Sequence, residues 1–299
     1  MHHQPTVIAL GFFDGVHRGH GALLRRTAER AAQLGVTPAV FTFDRPPKEV
    51  VKGQPIPLIN SAEDRLDLIG RLYAIDRIIL APFDHAMMTM CWQDFIAMLA
   101  AQYGAIHLIA GHDYRFGHKN QGTPELLRSR CAQLGLGCDI VPRVTHDGVT
   151  VSSTRIRTLL EAGDVEQAAD FLGHPHCLGQ IVTHGQHIGR TIGVPTINFS
   201  PPASVLTPRH GVYVTQANLP DGTNHPGITN VGIRPTVGQS TAVSVETFLL
   251  DYSGNLYGQH IRLDFCRRLR DERYFDSLNL LKEQILRDID SARAYFSQS

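Results

Sequence analysis

Hydrophobic and polar positions repeat with two different periods along this chain. In the first half, short apolar runs such as VIAL at residues 7–10 are followed by segments in which apolar side chains recur every three or four residues. The runs predict buried strands, and the longer spacing predicts helices packed along one face. Because strand and helix alternate from residue 5 to about 158, we expect a parallel sheet covered by helices, with ligands at the carboxyl ends of its strands.

The pattern changes at the segment GHPH, residues 173–176. Beyond it, apolar and polar residues alternate with period two in short stretches separated by turn residues, which predicts an antiparallel barrel or sandwich. The final segment predicts a helix with one apolar stripe. We therefore expect a first domain over residues 1–158, a helical linker over 159–177 and a second domain over 178–299. The alternating stretches are 179–183, 212–217, 243–250 and 261–265, and the stripe consists of Leu278, Leu281, Ile285, Ile289, Ala292 and Phe296.

Composition narrows the class of protein. Lys plus Arg and Asp plus Glu number 28 each among 299 residues, which argues against nucleic-acid and polybasic membrane surfaces. No apolar run reaches the length of a membrane span, and the N-terminal residues lack the pattern of a secretory signal. Five cysteines without a C-x-x-C pair suggest reduced thiols. We expect a cytoplasmic globular protein whose partners are small molecules; its oligomeric state is unknown at this point.

The stretch GFFDGVHRGH, residues 11–20, joins the first predicted strand to the first predicted helix. A glycine-containing turn at a helix N-terminus directs backbone N–H groups and the positive end of the helix toward one point, which suits phosphate. His17 and His20 are three residues apart, so both side chains lie on one face if the helix has begun. The chain has 16 histidines and a second H-x-x-H at His184 and His187, so a structural or metal-binding role is the alternative.

Two further segments of the first half carry polar groups suited to nucleotides. The loop GHDYRFGHKNQG at 111–122 follows a predicted strand and combines glycines, aromatic rings and cations, which suit a planar phosphorylated ligand. The segment VSSTRIR at 151–157 places three hydroxyls and two arginines at a helix start, where they can cap the helix or hold phosphate. An ordinary surface loop and a plain capped helix are the alternatives.

A second candidate centre lies in the antiparallel half. The segment GRTIGVPTIN at 189–198 contains Thr196 and Asn198, whose oxygens suit a hard cation such as Mg²⁺. Glu246 shares one face of its predicted strand with Phe248 and Leu250, and a carboxylate among apolar neighbours is a candidate general base. A cross-strand salt bridge is the alternative for this side chain.

Together these motifs resemble the bifunctional bacterial riboflavin kinase/FMN adenylyltransferases, also called FAD synthetases, over nearly the whole chain. The resemblance implies a Rossmann-like HxGH nucleotidyltransferase domain, followed by an antiparallel Greek-key β-barrel and a long helix. The matching segments are GFFDGVHRGH (11–20), TFDRPPKE (42–49), GHDYRFG (111–117), VSSTRIR (151–157), GRTIGVPTIN (189–198), GVYV (211–214), NVGIRPT (230–236), VETFLLDYSGNLYG (245–258) and LRDERYFDSL (269–278).

The resemblance also implies two consecutive reactions and a role for each motif. The barrel would phosphorylate riboflavin with ATP to give FMN, and the first domain would join AMP from ATP to FMN, giving FAD and pyrophosphate. The implied catalytic residues are Glu246, His17 and His20, and the implied ligands of Mg²⁺ are Thr196 and Asn198. The residues expected to bind ATP or phosphate are Gly11, Phe13, Asp14, Gly19, Ser152, Ser153, Thr154, Arg157, Gly189, Arg190 and Thr196, and those expected to bind flavin are Asp113, Phe116 and Arg273.

Three other functions fit part of this pattern. The first is a monofunctional riboflavin kinase whose N-terminal domain has drifted, and the second is a non-catalytic flavin- or nucleotide-binding protein. The third is a nucleotidyltransferase acting on another phosphorylated cofactor precursor. The joint presence of His17, His20, Asn198 and Glu246 disfavours the binding protein, and the barrel motifs disfavour the third function.

Overall fold

A computed structural model describes residues 4–183, 194–235 and 241–298. Among these residues, no helix combines the length and apolar character needed to span a membrane. The strands are β1 (Thr6–Leu10), β2 (Thr37–Phe43), β3 (Arg77–Ala81), β4 (Ala105–Gly111), β5 (Gly137–Val141), β6 (Thr145–His146), β7 (Val149–Thr150), β8 (His176–Ile181), β9 (Thr196–Phe199), β10 (Gly211–Asn218), β11 (Asn224–Pro235), β12 (Thr241–Leu249) and β13 (His260–Arg270). The helices are α1 (Arg18–Leu34), α2 (Pro47–Lys52), α3 (Ala62–Tyr73), α4 (His85–Thr89), α5 (Trp92–Tyr103), α6 (Pro124–Gln133), α7 (Ser153–Ala162), α8 (Val165–Leu172) and α9 (Leu278–Ser297).

The first half forms a parallel sheet with the strand order β3–β2–β1–β4–β5. Val7, Ile8 and Ala9 of the central strand β1 are fully buried, because helices cover both faces of the sheet. The predicted Rossmann-like α/β class is therefore confirmed. In sheets of this kind ligands bind beyond the carboxyl ends of the strands, where α1 begins.

The two ends of α1 are fixed by different residues. His17 is its N-cap, and Gly35 ends it in the left-handed region at a φ of 66°. Along the helix, Leu23, Leu24 and Ala31 are buried. This burial holds the helix on the sheet and so fixes its N-terminus beside the end of β1.

The second half forms an antiparallel sheet with the strand order β8–β13–β10–β11–β12–β9. Just beyond the edge strand β8, the N–H of Thr183 donates to the carbonyl oxygen of Asn198 in the other edge strand, β9, at 2.9 Å. This bridge joins the two edges of the sheet, as closure of a barrel requires. The predicted antiparallel barrel is confirmed.

The two faces of this sheet have different partners. On one face, the buried hydroxyls of Thr215, Thr229 and Thr247 form a chain across three strands, with oxygen–oxygen distances of 2.7 and 2.8 Å. The opposite face packs against α9, as the apolar stripe of that helix predicts. The buried residues of this contact are Val214, Ile228, Leu250, Ile289 and Ala292.

The chain divides into two compact units whose boundaries differ from those expected of the sequence. The units are Met1–Ile56 with Arg65–Ser152, and Pro57–Asp64 with Ser153–Ser299. The second unit thus includes a short segment that the sequence places inside the first domain. There, the N–H of Leu58 donates to the carbonyl oxygen of Ser204 at 2.8 Å, and the N–H of Leu206 donates to that of Leu58 at 2.7 Å. Backbone hydrogen bonds between residues so distant in sequence leave no local pattern.

His176, at the start of β8, is fully buried, and its ring centroid lies 5.7 Å from that of Phe265. Burial lowers the pKa of His176 from 6.5 to about 3, so the folded protein keeps the imidazole neutral. As the pH falls below 6.5, His176 becomes protonated in the unfolded chain but stays neutral in the folded chain until about pH 3. Protonation therefore favours the unfolded state, and the free energy of unfolding decreases between these two pH values. Between pH 8 and pH 5 we expect His176 to lower the free energy of unfolding of the second unit by about 2 kcal/mol.

A comparison of His176→Phe with the parent tests this expectation, because phenylalanine cannot titrate. The measurement is hydrogen exchange of the β8 and β13 amides at pH 8 and pH 5, corrected for intrinsic exchange rates. His85→Phe, at an exposed position of α4, is the matched control. If all three proteins lose the same unfolding free energy on acidification, His176 is not the group responsible.

The helical segment before β8 belongs to the second unit, and we expect its removal to destabilise that unit. Helix α8 buries Val165, Ala168, Phe171 and Leu172 and packs against β8 and β13. Each large apolar side chain so buried contributes about 1.5–3 kcal/mol. A fragment of residues 153–299 should therefore unfold at a higher urea concentration than a fragment of residues 178–299. Equal midpoints would contradict this contribution.

Candidate active sites

The turn between β1 and α1 contains three residues with unusual backbone angles. Phe13, Gly15 and Val16 have φ values of 60°, 81° and 41°. Glycine tolerates this region, whereas a β-branched valine enters it only with strain, and such strain is concentrated at functional sites. Gly11 leaves room for the turn, because a Cβ there would lie 2.9 Å from the Phe13 ring. The turn brings His17 to the start of α1.

His17 and His20 lie together at this helix start. The Nδ1 of His17 accepts the backbone N–H of His20 at 3.2 Å. The two imidazole rings stack with their centroids 3.6 Å apart and an interplanar angle of 12°. A Cβ at Gly19 would lie 3.1 Å from the His17 ring, so glycine leaves the space that this ring occupies. Both histidines and Gly19 are therefore parts of one compact arrangement.

The environment of His20 keeps its imidazole uncharged. Burial lowers the pKa of His20 well below 6.5, and the neighbouring His17 and Arg65 lower it further. The Nδ1 of His20 is buried and has no hydrogen-bond partner within the described part of the chain. A buried polar atom normally has a partner, so this one suits an external ligand such as a phosphate group.

Arg65 is a candidate site residue that sequence analysis missed. It is 1% exposed, its guanidinium lies 4.2 Å from the ring centroid of Phe12, and it donates to the carbonyl oxygen of Phe43 at 2.7 Å. Burial lowers the pKa of Arg65 to about 10, while the carboxylates of Asp14 and Asp44 oppose this shift. The predicted site residue Asp14 is itself 4% exposed. A buried cation beside the histidine turn fits phosphate recognition. On the sequence, Arg65 is one polar position of a helix and gives no signal.

A cavity of about 550 Å³ opens beside α1. Three arginines, Arg25, Arg26 and Arg128, and two acidic residues, Glu29 and Asp139, line it together with the end of β5. Arg26 is paired with Asp139 at 2.8 Å. The volume lies within the range of small-molecule sites, and guanidinium groups suit phosphate oxygens. Side chains of both charges therefore face this cavity.

The loop at residues 111–122 places its two predicted flavin-binding residues differently. Asp113 is exposed, whereas Phe116 is 6% exposed and belongs to the hydrophobic core of the first unit. The ring of Tyr114 stacks on Phe116 with centroids 5.4 Å apart. Gly122 permits this packing, because a Cβ there would lie 2.8 Å from the Phe116 ring. Tyr114, which is half-buried, presents more of its surface than Phe116 does.

The hydroxyl-rich segment is divided between the two units. Ser152 ends the first unit, whereas Ser153, Thr154 and Arg157 belong to α7 in the second. The Nε of Arg157 donates to the carbonyl oxygen of Pro57 at 2.7 Å. The role of these four residues in holding ATP remains a prediction.

In the second unit, Asn198, Glu246 and Asn230 form a row across three strands. Glu246 of β12 is paired with Asn198 of β9 on one side and with Asn230 of β11 on the other. Directly opposed residues of antiparallel strands project from the same face. Thr196 lies two residues before Asn198 and so shares that face. The register therefore brings together the predicted residues Thr196, Asn198 and Glu246.

Glu246 is half-buried and has a polar neighbour on its own strand. The hydroxyl of Ser244 donates to its Oε1 at 3.3 Å. Asn198 is 5% exposed, and its Nδ2 donates to the carbonyl oxygen of Thr196 at 3.3 Å. The predicted flavin-binding residue Arg273 is exposed and donates to Gln284. The predicted phosphate-binding residues Gly189 and Arg190 lie outside the described residues.

Comparisons with known proteins match the two halves of the chain to two different families. The family model of FAD synthetase matches residues 1–155, and that of riboflavin kinase matches residues 172–296. The protein named bifunctional riboflavin kinase/FMN adenylyltransferase of Pseudomonas fluorescens is 34% identical over 99% of this chain and 95% of the relative. The protein of that name from Escherichia coli K12 is 33% identical over 98% of this chain and 93% of the relative.

This chain belongs to the bifunctional riboflavin kinase/FMN adenylyltransferase family. The predicted membership, the predicted bifunctional transferase and the two activities expected of it are thereby confirmed. Among solved structures, that of a protein called a macrolide-efflux protein from Streptococcus pneumoniae matches with a TM-score of 0.84. It is 28% identical, and the match covers 97% of this chain and 94% of that one, so the likeness extends over both units.

Proposed function

We propose that the antiparallel unit converts riboflavin to FMN and that the parallel-sheet unit then converts FMN to FAD. The observation that carries the first assignment is the row of Asn198, Glu246 and Asn230 on one sheet face. The stacked pair of His17 and His20 at a helix N-terminus supports the second. Phosphoryl and nucleotidyl transfer need positioning and charge neutralisation rather than a covalent nucleophile. These polar side chains supply positioning, and Arg65 beside the histidine turn supplies positive charge.

In the proposed kinase step, Glu246 accepts the proton of the riboflavin 5′-hydroxyl as that oxygen bonds to the γ-phosphorus of ATP, and ADP leaves. Ser244 donates to Glu246 and so helps to orient the carboxylate. Glu246 is half-buried, and Phe248 lies on the same face of its strand, which limits the access of water. The base therefore combines a fixed orientation with partial shelter.

The oxygens of Thr196 and Asn198 fit a hard cation, and we assign Mg²⁺ bound with ATP to them. Mg²⁺ takes most of its ligands from phosphates and water, so it needs few protein ligands. Within the described residues, no group of three His, Cys, Asp or Glu side chains could hold a metal ion. When bound, Mg²⁺ would neutralise phosphate charge. The role of the two side chains is to hold the triphosphate on the face that carries Glu246.

In the proposed adenylylation step, an oxygen of the FMN phosphate bonds to the α-phosphorus of ATP, and pyrophosphate leaves. His17, His20 and Arg65 supply donors and charge to the phosphates. We assign the remaining binding roles to the other residues that the family resemblance implies. For ATP these are Gly11, Phe13, Asp14, Gly19, Ser152, Ser153, Thr154 and Arg157, and for FMN they are Asp113 and Phe116.

We further propose a cytoplasmic enzyme in which the adenylyltransferase domain predicted over residues 1–158 corresponds to the first compact unit. The kinase domain predicted over 178–299 corresponds to the second unit, which also includes the predicted linker, 159–177. The cysteines Cys91, Cys131, Cys138, Cys177 and Cys266 are free thiols, which suits a reducing compartment. The balanced charge of 28 basic and 28 acidic residues favours small-molecule partners over nucleic acid and membrane surfaces.

Incubation of the purified protein with riboflavin, ATP and Mg²⁺, followed by chromatography of the flavins, tests the proposed function. We expect FMN to appear first and FAD to follow. FMN alone would favour a monofunctional kinase, and the absence of both products would favour a binding protein. Omission of Mg²⁺ should abolish both products if the metal assignment holds.

A further inference from the structure

The residues 271–277, which we call the connecting segment, join β13 to α9 beside the row that contains Glu246. The Nδ2 of Asn230 donates to the Oε1 of Glu272 at 2.9 Å. Asn230 is paired directly with Glu246 in the sheet register, so its side chain projects from the same face. A second carboxylate, outside the predicted site, therefore lies next to the proposed base.

The sheet leaves space for this carboxylate at one glycine. A Cβ at Gly232 would lie 2.1 Å from the Oε1 of Glu272, a distance that no real contact permits. Gly232 is two residues from Asn230 along β11, so both positions belong to the same face. Because Gly232 has no side chain, there is room for Glu272 over the sheet. The hydrogen bond from the Asn230 amide holds its carboxylate there.

The connecting segment is also anchored to α9 on either side of Glu272. Before it, the Nε and Nη2 of Arg270 donate to the two oxygens of the buried Asp288 carboxylate in α9, at 3.2 and 2.7 Å. Gln284 of the same helix donates to Asp288 at 2.8 Å and accepts from Arg273. A bidentate guanidinium–carboxylate pair is directional, so it fixes the point at which the segment leaves the strand. The backbone that carries Glu272 is therefore held beside the row that contains Glu246.

We propose that Glu272 is a substrate-selecting residue of the kinase site and accepts hydrogen bonds from the ribityl hydroxyls of riboflavin. The inference rests on the proposed role of Glu246 as the base for the terminal ribityl hydroxyl. If that hydroxyl lies at Glu246, the neighbouring hydroxyls of the same short chain lie within reach of the adjacent strand β11. A carboxylate accepts from hydroxyl donors, of which the ribityl chain carries several, whereas the ring system of the flavin has a single N–H donor.

Asn230 has a positioning role in this proposal. Its amide holds one oxygen of Glu272, and an ionised acceptor binds hydroxyl groups more strongly than a neutral one does. Removal of the amide should free the carboxylate to turn away from the sheet. The effects of changing Asn230 and Glu272 should therefore not add, because both changes remove the same interaction.

The test measures riboflavin and lumiflavin binding to Glu272→Ala by flavin fluorescence at equilibrium, together with steady-state kinase kinetics. Lumiflavin has the same ring system but no ribityl chain. We expect about tenfold weaker riboflavin binding and a similar rise in KM, the scale of one hydrogen bond to a charged group. We also expect little change in kcat, in lumiflavin binding and in FMN adenylylation. Glu272→Gln should recover part of the loss.

Glu283→Ala is the matched control, because Glu283 is an exposed carboxylate of α9 whose charge partner is Arg287 at 3.6 Å. The double variant Asn230→Ala/Glu272→Ala should bind riboflavin no more weakly than Glu272→Ala alone. Unchanged riboflavin binding in Glu272→Ala would overturn the proposal, and so would an equal loss of lumiflavin binding. A parent protein that makes no FMN would instead refute the proposed function, so the two failures are distinguishable.

Discussion

Replacement of His20 by alanine should slow the conversion of FMN to FAD by about 10²–10³-fold, the usual loss when one preorganised donor to transition-state charge is removed. Riboflavin phosphorylation by the same molecules should be unchanged, because Glu246 and Asn198 belong to the other unit. Both rates can be measured on one preparation, by supplying either riboflavin or FMN together with ATP and Mg²⁺.

The expected size of this effect follows from the surroundings of His20. Its ring stacks on that of His17 and makes an edge contact with the ring of Phe13, at a centroid distance of 5.3 Å. Burial holds the pKa of His20 well below 6.5, so its imidazole is neutral and donates through its single ring N–H. Because this donor is already fixed and desolvated, little free energy is needed to reorient it when charge develops on the phosphates.

A fold control is needed because His20 contributes to packing. Trp92, the single tryptophan of the chain, begins α5 in the first unit, so its fluorescence reports thermal unfolding of that unit. His85→Ala, at an exposed position of α4, is the matched control. Equal losses of both activities in His20→Ala, with unaltered tryptophan melting, would contradict the assignment of the two reactions to two sites.

Local patterns of the sequence predict most of the fold because they encode burial. The run at residues 7–10 is uniformly apolar since β1 is covered on both faces, and the alternation at 243–250 reflects the two different faces of β12. The HxGH turn is equally local, because capping by His17 and the space left by Gly19 involve neighbouring residues.

The features that sequence analysis missed depend on long-range contacts. Arg65 is a polar position on an amphipathic helix, and its burial follows from Asp14 and Phe43, which lie far from it in sequence. Phe116 occurs in a glycine-rich loop and is nevertheless a core residue, because its ring packs against that of Phe95 with the centroids 5.6 Å apart. In each case the fold brings the contacting residue close in space, and the spacing of residues along the sequence does not predict that contact.

Replacement of Glu246 by glutamine should lower the kcat of riboflavin phosphorylation by about 10²-fold or more, the usual scale for loss of a general base. The primary hydroxyl of riboflavin is a weak nucleophile at neutral pH, so its proton needs an acceptor as the bond to phosphorus forms. Glutamine preserves the shape of the side chain and can still accept from Ser244, whose hydroxyl lies 3.3 Å from Oε1 of Glu246. Riboflavin binding should therefore change little, and the loss should fall on kcat rather than on KM.

A comparison of Glu246 variants with variants of the neighbouring Glu272 makes this prediction specific. Glu272 is connected to Glu246 through Asn230, which hydrogen-bonds Glu272 and is paired with Glu246 across the strands. If Glu246 is the base and Glu272 selects the substrate, Glu246→Gln lowers kcat and Glu272→Ala raises KM, while both variants keep FMN adenylylation. A Glu246→Gln protein that phosphorylates riboflavin at close to the parent rate would show that Glu246 is structural. A fall in kcat confined to the Glu272 variant would instead identify Glu272 as the base, since the two carboxylates would then have exchanged the roles assigned to them here.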